Sequence, residues 1–91
     1  MTNNPLFKVE RMHLLDTEGP TKAFCDLLVA DTCVAKGFKV IQGKKGLFVG
    51  MPQEKGRDEK WYDTFYTLSP ETRTQIQQLI LKNYNEHRDK T

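Results

Sequence analysis

The segment VIQGKKGLFVGMP, residues Val40–Pro52, decides the fold because two strand-like runs flank a tight reversal. Both runs contain the β-branched and aromatic residues that suit the pleated, half-buried surface of a sheet. Gly43 and Gly46 bracket the pair Lys44–Lys45 and can adopt the positive φ that a short turn requires. Pro52 has no N–H for a sheet ladder, so it marks either the end of the second strand or an exposed edge. The segment therefore predicts a β-hairpin with a basic tip.

Alternating apolar patterns predict strands before the hairpin. Leu6–Leu15 alternates imperfectly, with both faces partly polar, which is typical of an edge strand or of a solvent-facing sheet. One face of this first strand carries Phe7, Val9, Arg11 and His13. Thr21–Val29 alternates cleanly and forms the second strand, whose apolar face carries Ala23, Cys25, Leu27 and Val29. Cys33–Ile41 is the third strand and leads into the hairpin. Its predicted apolar face is Val34, Phe38 and Val40.

The residues after the hairpin predict a loop, a fifth strand and a helix. Gln53–Lys60 has no apolar residue and a central glycine, so we expect a solvated, mobile loop. Trp61–Leu68 alternates as a strand. Ser69, a capping residue followed by proline and glutamate, predicts the start of a helix that ends near His87. The helix residues that share an apolar face are Ile76, Leu79, Ile80 and Tyr84.

This element order predicts an α+β domain, in which an antiparallel sheet of about five strands precedes one C-terminal helix. We expect a single domain over residues 1–91, with disordered tails at 1–5 and 88–91. One helix covers only one face of such a sheet, and Phe24 and Leu28 fall on the other face. We therefore expect a homodimer that covers this face or pairs the strand edges.

Composition excludes several classes of protein. No apolar run approaches the roughly 20 residues that cross a bilayer, and Met1–Pro5 does not resemble a signal peptide, so we expect a cytoplasmic protein without membrane contact. Cys25 and Cys33 fit no metal-binding spacing, and the sequence predicts no metal and no cofactor. His13 and His87 have no nucleophile or ligand partner in the sequence. We therefore predict that the protein is not an enzyme and has no small-molecule substrate.

Basic and amide side chains provide candidate contacts to nucleic acid. The net charge is only +2, so a binding surface must arise from local grouping of these residues. Arginine and glutamine bind phosphates and base edges, and a helix N-terminus favours phosphate. The candidate contacts are Lys44, Lys45, Lys55, Arg57, Arg73, Gln77 and Lys82. The alternative is that these residues form an ordinary solvated surface.

The pattern VIxGxxGLFVxMP in Val40–Pro52 resembles the signature of the stage V sporulation protein G (SpoVG) family of small bacterial regulators, also called septation proteins. The resemblance continues through Trp61–Asp63 and through the helix from Thr72 to Tyr84, and it reaches back to about Leu14. It implies a dimer joined through strands and a regulator that binds DNA or RNA. The resemblance places binding around the C-terminal helix and the preceding loop.

Two residues match the basic positions that the family uses. Arg73 matches the helix arginine, and Lys55 matches a basic residue of the loop. The sequence departs from the family pattern at Gln53, Glu54, Tyr62 and Tyr66–Thr67. We therefore predict a dimeric, non-enzymatic regulator that binds DNA, RNA or both. The alternative is a protein–protein adaptor on the same dimeric scaffold, which would use the exposed aromatics Trp61, Tyr62 and Tyr66.

Overall fold

The computed structural model describes residues 6–89, which form an antiparallel sheet, a small second sheet and one helix. The elements are β1 (Phe7–Leu14), β2 (Thr21–Val29), β3 (Cys33–Gly43), β4 (Gly46–Gly50), β5 (Gln53–Lys55), β6 (Trp61–Asp63) and α1 (Pro70–Asp89). The first four strands pair antiparallel in the order β1-β2-β3-β4, and β5 pairs with β6. The predicted α+β class, with one C-terminal helix after the strands, is confirmed.

The predicted hairpin is the β3–β4 pair. Its ladder runs from Gly43 opposite Gly46 to Lys39 opposite Gly50. Gly46 has a φ of 128°, which a residue with a side chain rarely adopts, and Lys44 and Lys45 occupy the turn. Pro52 follows the end of β4, as predicted, and is buried.

A bulge in β1 changes which of its side chains face the core. Val9 lies opposite Leu27, but Arg11 lies opposite Asp26, so β1 contains one extra residue there. After the bulge the inward side chains are those of Met12 and Leu14. The predicted face of Phe7, Val9, Arg11 and His13 is therefore correct for its first two members and wrong for its last two.

A second bulge at Gly37 has the same effect in β3. Cys25 pairs with Phe38, whereas the next residue of β2, Asp26, pairs with Lys36, so Gly37 is the unpaired residue. Gly37 has a φ of 103° and packs against the ring of Pro52. The bulge directs Phe38 and Val40 into the core and leaves Val34 46% exposed. The prediction that Val34 shares their face is therefore wrong.

Residues between β4 and α1 differ from the predicted loop and fifth strand. Gln53–Lys55 forms a strand instead of a loop, and the predicted strand Trp61–Leu68 ends at Asp63. The two short strands pair with each other, from Gln53 opposite Asp63 to Lys55 opposite Trp61. Beyond β6 the chain turns back toward the main sheet. Phe65 there meets the edge of the Phe38 ring, with the ring centroids 5.4 Å apart.

Helix α1 begins at the predicted cap and packs on the main sheet through the predicted face. The Thr72 backbone N–H donates to Ser69 Oγ at 3.2 Å, which satisfies a first-turn amide. Ile76, Ile80 and Tyr84 are buried in the core, and Leu79 packs against it. Within residues 6–89 no helix is both long and apolar enough to cross a bilayer. The predicted tails lie outside the described residues, apart from residues 88 and 89 at the end of α1.

Ser69→Ala is expected to destabilise the protein by about 1 kcal/mol, because it removes the acceptor for the Thr72 amide. Denaturant unfolding monitored by circular dichroism measures this loss. Thr74→Ala is the matched control, since it removes an exposed hydroxyl from the same helix and is expected to be neutral or slightly stabilising. An equal effect of the two substitutions would show that Ser69 does not act as the cap.

Candidate nucleic-acid interface

An open cavity of about 360 Å³ lies where β4, the β5–β6 pair and the first turn of α1 meet. Its charged and amide side chains are Lys39, Gln53, Asp63 and Arg73. Its apolar and glycine lining is Ile41, Phe48, Val49, Gly50 and Met51. The cavity therefore brings together charged side chains from a strand of the main sheet, the small sheet and the helix.

Arg73 reaches this cavity because of the way α1 starts. The cap at Ser69 fixes the first turn, and the Arg73 backbone N–H donates to the Ser69 carbonyl oxygen at 3.2 Å. Arg73 also borders a second open cavity formed by residues 67–70. Its side chain is exposed, so its guanidinium is available to an external ligand.

Lys39 is the functional candidate that the sequence analysis missed. It faces outward from β3, directly opposite Gly50 in the β3–β4 ladder. Gly50 has no side chain to cover it, and a Cβ added to Gly50 would lie 3.9 Å from the Lys39 Cβ. The signal that could have identified it is the hairpin register. Counting four pairs along the ladder from the Gly43–Gly46 pair places Lys39 opposite Gly50.

The cavity is cationic despite containing one carboxylate. Asp63 Oδ1 accepts a hydrogen bond from Gln53 Nε2 at 2.8 Å across the β5–β6 ladder. This bond uses part of the acceptor capacity of Asp63. Lys39 and Arg73 outweigh the single carboxylate, so the cavity carries a formal charge of +1. Such a site favours an anion of moderate charge, and phosphate oxygens accept well from both lysine and arginine.

The β5–β6 pair places basic and aromatic side chains next to one another. Lys55 lies directly opposite Trp61, and both are exposed. The connecting turn is fixed by two backbone hydrogen bonds, from Gly56 N to Lys60 O at 2.8 Å and from Glu59 N to Gly56 O at 3.0 Å. Predicted site residue Arg57 lies in this turn and is exposed.

Tyr62 and Asp58 stabilise the turn through their side chains. The Tyr62 hydroxyl donates to Asp58 Oδ2, and the Lys60 backbone N–H donates to Asp58 Oδ1 at 3.0 Å. The bond from Tyr62 lowers the pKa of the Asp58 carboxyl, and the same carboxylate raises the pKa of the Tyr62 phenol. The contact therefore stabilises the turn above the ordinary pKa of aspartate. It is lost when Asp58 is protonated in acid or when Tyr62 ionises in strong alkali.

The remaining predicted site residues lie at varying distances from this cavity. Lys44 and Lys45 are exposed at the far end of β4, about 13 Å along the strand from Gly50. Gln77 is half-buried one turn after Arg73. Lys82 follows the buried Ile80 by two positions, which places it on the opposite side of the helix. Arg73 therefore lines the same cavity as Gln53 and Asp63 of the β5–β6 pair, which also carries Lys55. Lys82 lies on the other side of the helix.

Comparison with known proteins supports the family resemblance of the segment Val40–Pro52. The sequence profile of the SpoVG family matches residues 7–86. A relative from Agathobacter rectalis, named "Putative septation protein SpoVG", is 36% identical over 74 residues, which are 81% of this chain and 85% of that protein. A relative of the same name from Archaeoglobus fulgidus is 36% identical over 76 residues, 84% of this chain and 89% of that protein.

A further relative, "Putative septation protein SpoVG 2" from Listeria monocytogenes, is 31% identical over 74 residues. The aligned part is 81% of this chain and 72% of that protein. The matches therefore extend over most of the domain and include the β3–β4 hairpin, the small sheet and the helix. The chain belongs to the SpoVG family.

Proposed function

We propose that this protein is a dimeric, non-enzymatic regulator that binds DNA or RNA in the cytoplasm. The observation that carries the proposal is the cationic cavity, which Lys39 and Arg73 both line and to which the β5–β6 pair that carries Lys55 contributes Gln53 and Asp63. These side chains come from three separate elements of the fold. Their convergence on one side of the molecule distinguishes them from scattered surface charges.

The chemistry of the cavity suits the phosphate backbone. Lysine and arginine neutralise phosphates and release condensed counterions, which supplies most of the affinity of non-specific binding. Arg73 can donate two parallel hydrogen bonds to one phosphate, whereas Lys39 acts as a point charge. A net charge of +2 for the whole chain is compatible with this function because two basic side chains and only one carboxylate line the cavity.

The state of the buried Cys25 argues against a role for this thiol as a nucleophile. Burial, together with the nearby Asp26 carboxylate, raises the pKa of the Cys25 thiol to about 12. Cys25 is therefore protonated at neutral pH and is a poor nucleophile. In the described part of the chain, no three His, Cys, Asp or Glu side chains form a group that could hold a metal ion.

A titration over a range of salt concentrations tests the binding proposal. Fluorescence anisotropy with labelled DNA and RNA is expected to show binding at low salt that weakens as salt rises. The slope of log affinity against log salt gives the number of phosphates contacted, at about 0.9 each for duplex DNA and 0.7 each for single strands. Absence of binding to every nucleic acid at low salt would contradict the proposal.

The outer face of the sheet supports the proposed dimer. Val34 is 46% exposed on the face opposite α1 and lies directly opposite Leu28, and Phe24, on the same face farther along β2, is 40% exposed and lies opposite Lys39. Apolar side chains that one copy leaves in water can be covered by a second copy, which presents the same patch in a symmetric dimer. The family resemblance of the β3–β4 hairpin also implies pairing through strands.

Sedimentation at micromolar concentration is expected to give twice the chain mass of 10.6 kDa. Phe24→Glu places a charge in the outer face and is expected to shift the protein toward the monomer. Glu10→Lys is the control for a charge change on the exposed part of the same sheet. A dimer that withstands Phe24→Glu would indicate pairing through strand edges, and a species of 10.6 kDa alone would contradict dimerisation.

The exposed aromatics favour a second candidate function, a protein–protein adaptor. Trp61, Tyr62 and Tyr66 are all more than half exposed, and aromatic side chains are frequent anchors of protein interfaces. The salt titration separates the two candidates, because an adaptor would bind no nucleic acid at low salt.

A further inference from the structure

We propose that the face of the β5–β6 pair that carries Trp61 binds unpaired nucleobases, so that the protein prefers single-stranded to duplex nucleic acid. In this arrangement one base stacks on the indole of Trp61, and a neighbouring phosphate occupies the cavity of Lys39 and Arg73. The inference rests on the proposed nucleic-acid-binding function and adds the class of nucleic acid and the residue that selects it.

The register of the small sheet places Trp61 and the cavity on the same side. Side chains alternate along a strand, so Trp61 and Asp63 share one face of β6, and Lys55 and Gln53 share the matching face of β5. Gln53 and Asp63 line the cavity that contains Arg73. Trp61 is two residues from Asp63, or about 7 Å along the strand. A strand whose base stacks on Trp61 therefore continues past the edge of the cavity at Asp63.

Trp61 is not needed to hold the turn, because Tyr62 has that role on the opposite face. The Tyr62 ring lies against Gly56, where an added Cβ would come within 2.8 Å of Tyr62 Cε2. Its hydroxyl is bound to Asp58. Trp61, in contrast, is 60% exposed beside Lys55. The β5–β6 pair therefore presents an exposed indole on β6, while Tyr62 stabilises the turn that connects the two strands.

The charges of the two faces differ in a way that favours a polyanion on the Trp61 side. Glu54 lies directly opposite Tyr62, and Asp58 is hydrogen-bonded to Tyr62, so both carboxylates belong to the other face. On the Trp61 side, Lys55 is the cross-strand neighbour, and the one carboxylate that the two strands place there, Asp63, is hydrogen-bonded to Gln53. An indole beside cationic side chains matches a nucleobase and its phosphate.

Unpaired strands fit this surface better than a duplex does. In a duplex the bases stack on one another and expose only their edges in the grooves, so their flat faces cannot reach Trp61. In a single strand a base can leave its neighbours and stack on an aromatic side chain, whatever its sequence. The phosphate contacts to Lys39 and Arg73 would serve either form, but the stacking contact serves only the unpaired one.

Trp61 is the sole tryptophan of the chain, so intrinsic fluorescence reports directly on this face. We expect oligothymidylate and oligouridylate of equal length to quench the fluorescence of the full-length protein. A duplex at the same phosphate concentration is expected to quench it much less. Comparing the two single strands shows whether the face distinguishes DNA from RNA.

Substitution of Trp61 measures the contribution of stacking to affinity. By anisotropy, Trp61→Ala is expected to weaken single-strand binding by roughly 5- to 100-fold, whereas Trp61→Phe retains most of the affinity. Duplex binding should change little in either variant. Tyr66→Ala is the matched control, because it removes another exposed aromatic residue that lies outside the small sheet.

The outcomes separate this inference from the function on which it rests. If oligonucleotides bind the unsubstituted protein without changing its fluorescence, and bind Trp61→Ala with unchanged affinity, the stacking site is overturned while the proposed function stays intact. Equal losses in Trp61→Ala and Tyr66→Ala would also overturn it. Fluorescence that changes with protein concentration alone would show that a second copy covers Trp61, and this too would overturn the stacking site. Failure of every nucleic acid to bind at low salt would reject the proposed function itself.

Discussion

Arg73→Ala is expected to weaken nucleic-acid binding at low salt by roughly ten- to a hundredfold, because it removes a charge-assisted contact to phosphate. It should also reduce the salt slope by about 0.9 for duplex DNA or 0.7 for single strands for each phosphate lost. A dimer presents Arg73 twice, so a long strand that reaches both copies would lose about two contacts. Anisotropy titrations at several salt concentrations measure both effects.

Lys8→Ala is the control for the change in net charge. Lys8 lies on β1, two strands away from Lys39 in the main sheet, and its Nζ is 3.5 Å from Asp31 Oδ1. Both side chains are about half exposed, so loss of this pair should cost little stability. Lys8→Ala should therefore change affinity and slope much less than Arg73→Ala. Equal effects would mean that binding depends only on net charge and that the cavity is not the site.

The parts of the fold that could be predicted are those with a strong local signal. The β3–β4 hairpin follows from glycines at 43 and 46 between apolar runs, and the start of α1 follows from Ser69 and the proline after it. The bulges were not predicted. This led to wrong faces in β1 and β3, because one extra residue reverses the facing of every side chain that follows it. In β1 the inward residues Val9 and Met12 are three positions apart, whereas inward residues of a regular strand are two positions apart.

Strand β5, and with it the pairing of the small sheet, was missed for a different physical reason. Gln53–Lys55 is polar and exposed, so it has no apolar alternation to indicate a strand. Its pairing depends on contacts that are distant in sequence, such as the Thr64 N–H donating to the Pro52 carbonyl oxygen at 2.9 Å. A segment whose structure is imposed by its partner strand cannot be identified from its own pattern.

The candidate site could be predicted only in part, since it depends on the same tertiary pairings. Lys55 and Arg73 were predicted from the grouping of basic residues and from the family pattern. Arg73 lines the cavity, and Lys55 is two residues from Gln53, which also lines it. Lys39 was missed because it alternates with Phe38 and Val40 in a strand that looked purely structural. The absence of a side chain at Gly50, its partner in the ladder, makes Lys39 accessible. Individual basic residues can be found in a sequence, but their grouping requires the register.

Phe38→Ala is expected to cost about 3–5 kcal/mol of folding free energy, the range measured for deletion of a buried aromatic side chain. Phe38 is 0% exposed, it lies opposite Cys25 in the sheet, and its ring meets that of Phe65. The contact with Phe65 joins the main sheet to the segment that leads into α1. A domain of this size has about 5–15 kcal/mol in total, so the variant should be marginally folded. Denaturant unfolding at a fixed protein concentration gives the difference.

Phe48→Ala is the matched control for this loss. Phe48 is 48% exposed on the outer face of β4, where its ring lies against Gly43, so its deletion removes less buried area and leaves no enclosed cavity. We expect Phe48→Ala to cost less than half as much as Phe38→Ala. Phe38→Leu, which keeps most of the volume, should fall between them and retain enough folded protein for binding assays. If Phe38→Ala and Phe48→Ala unfold at the same denaturant concentration, the ring of Phe38 is not enclosed, and the packing that positions the helix must lie elsewhere.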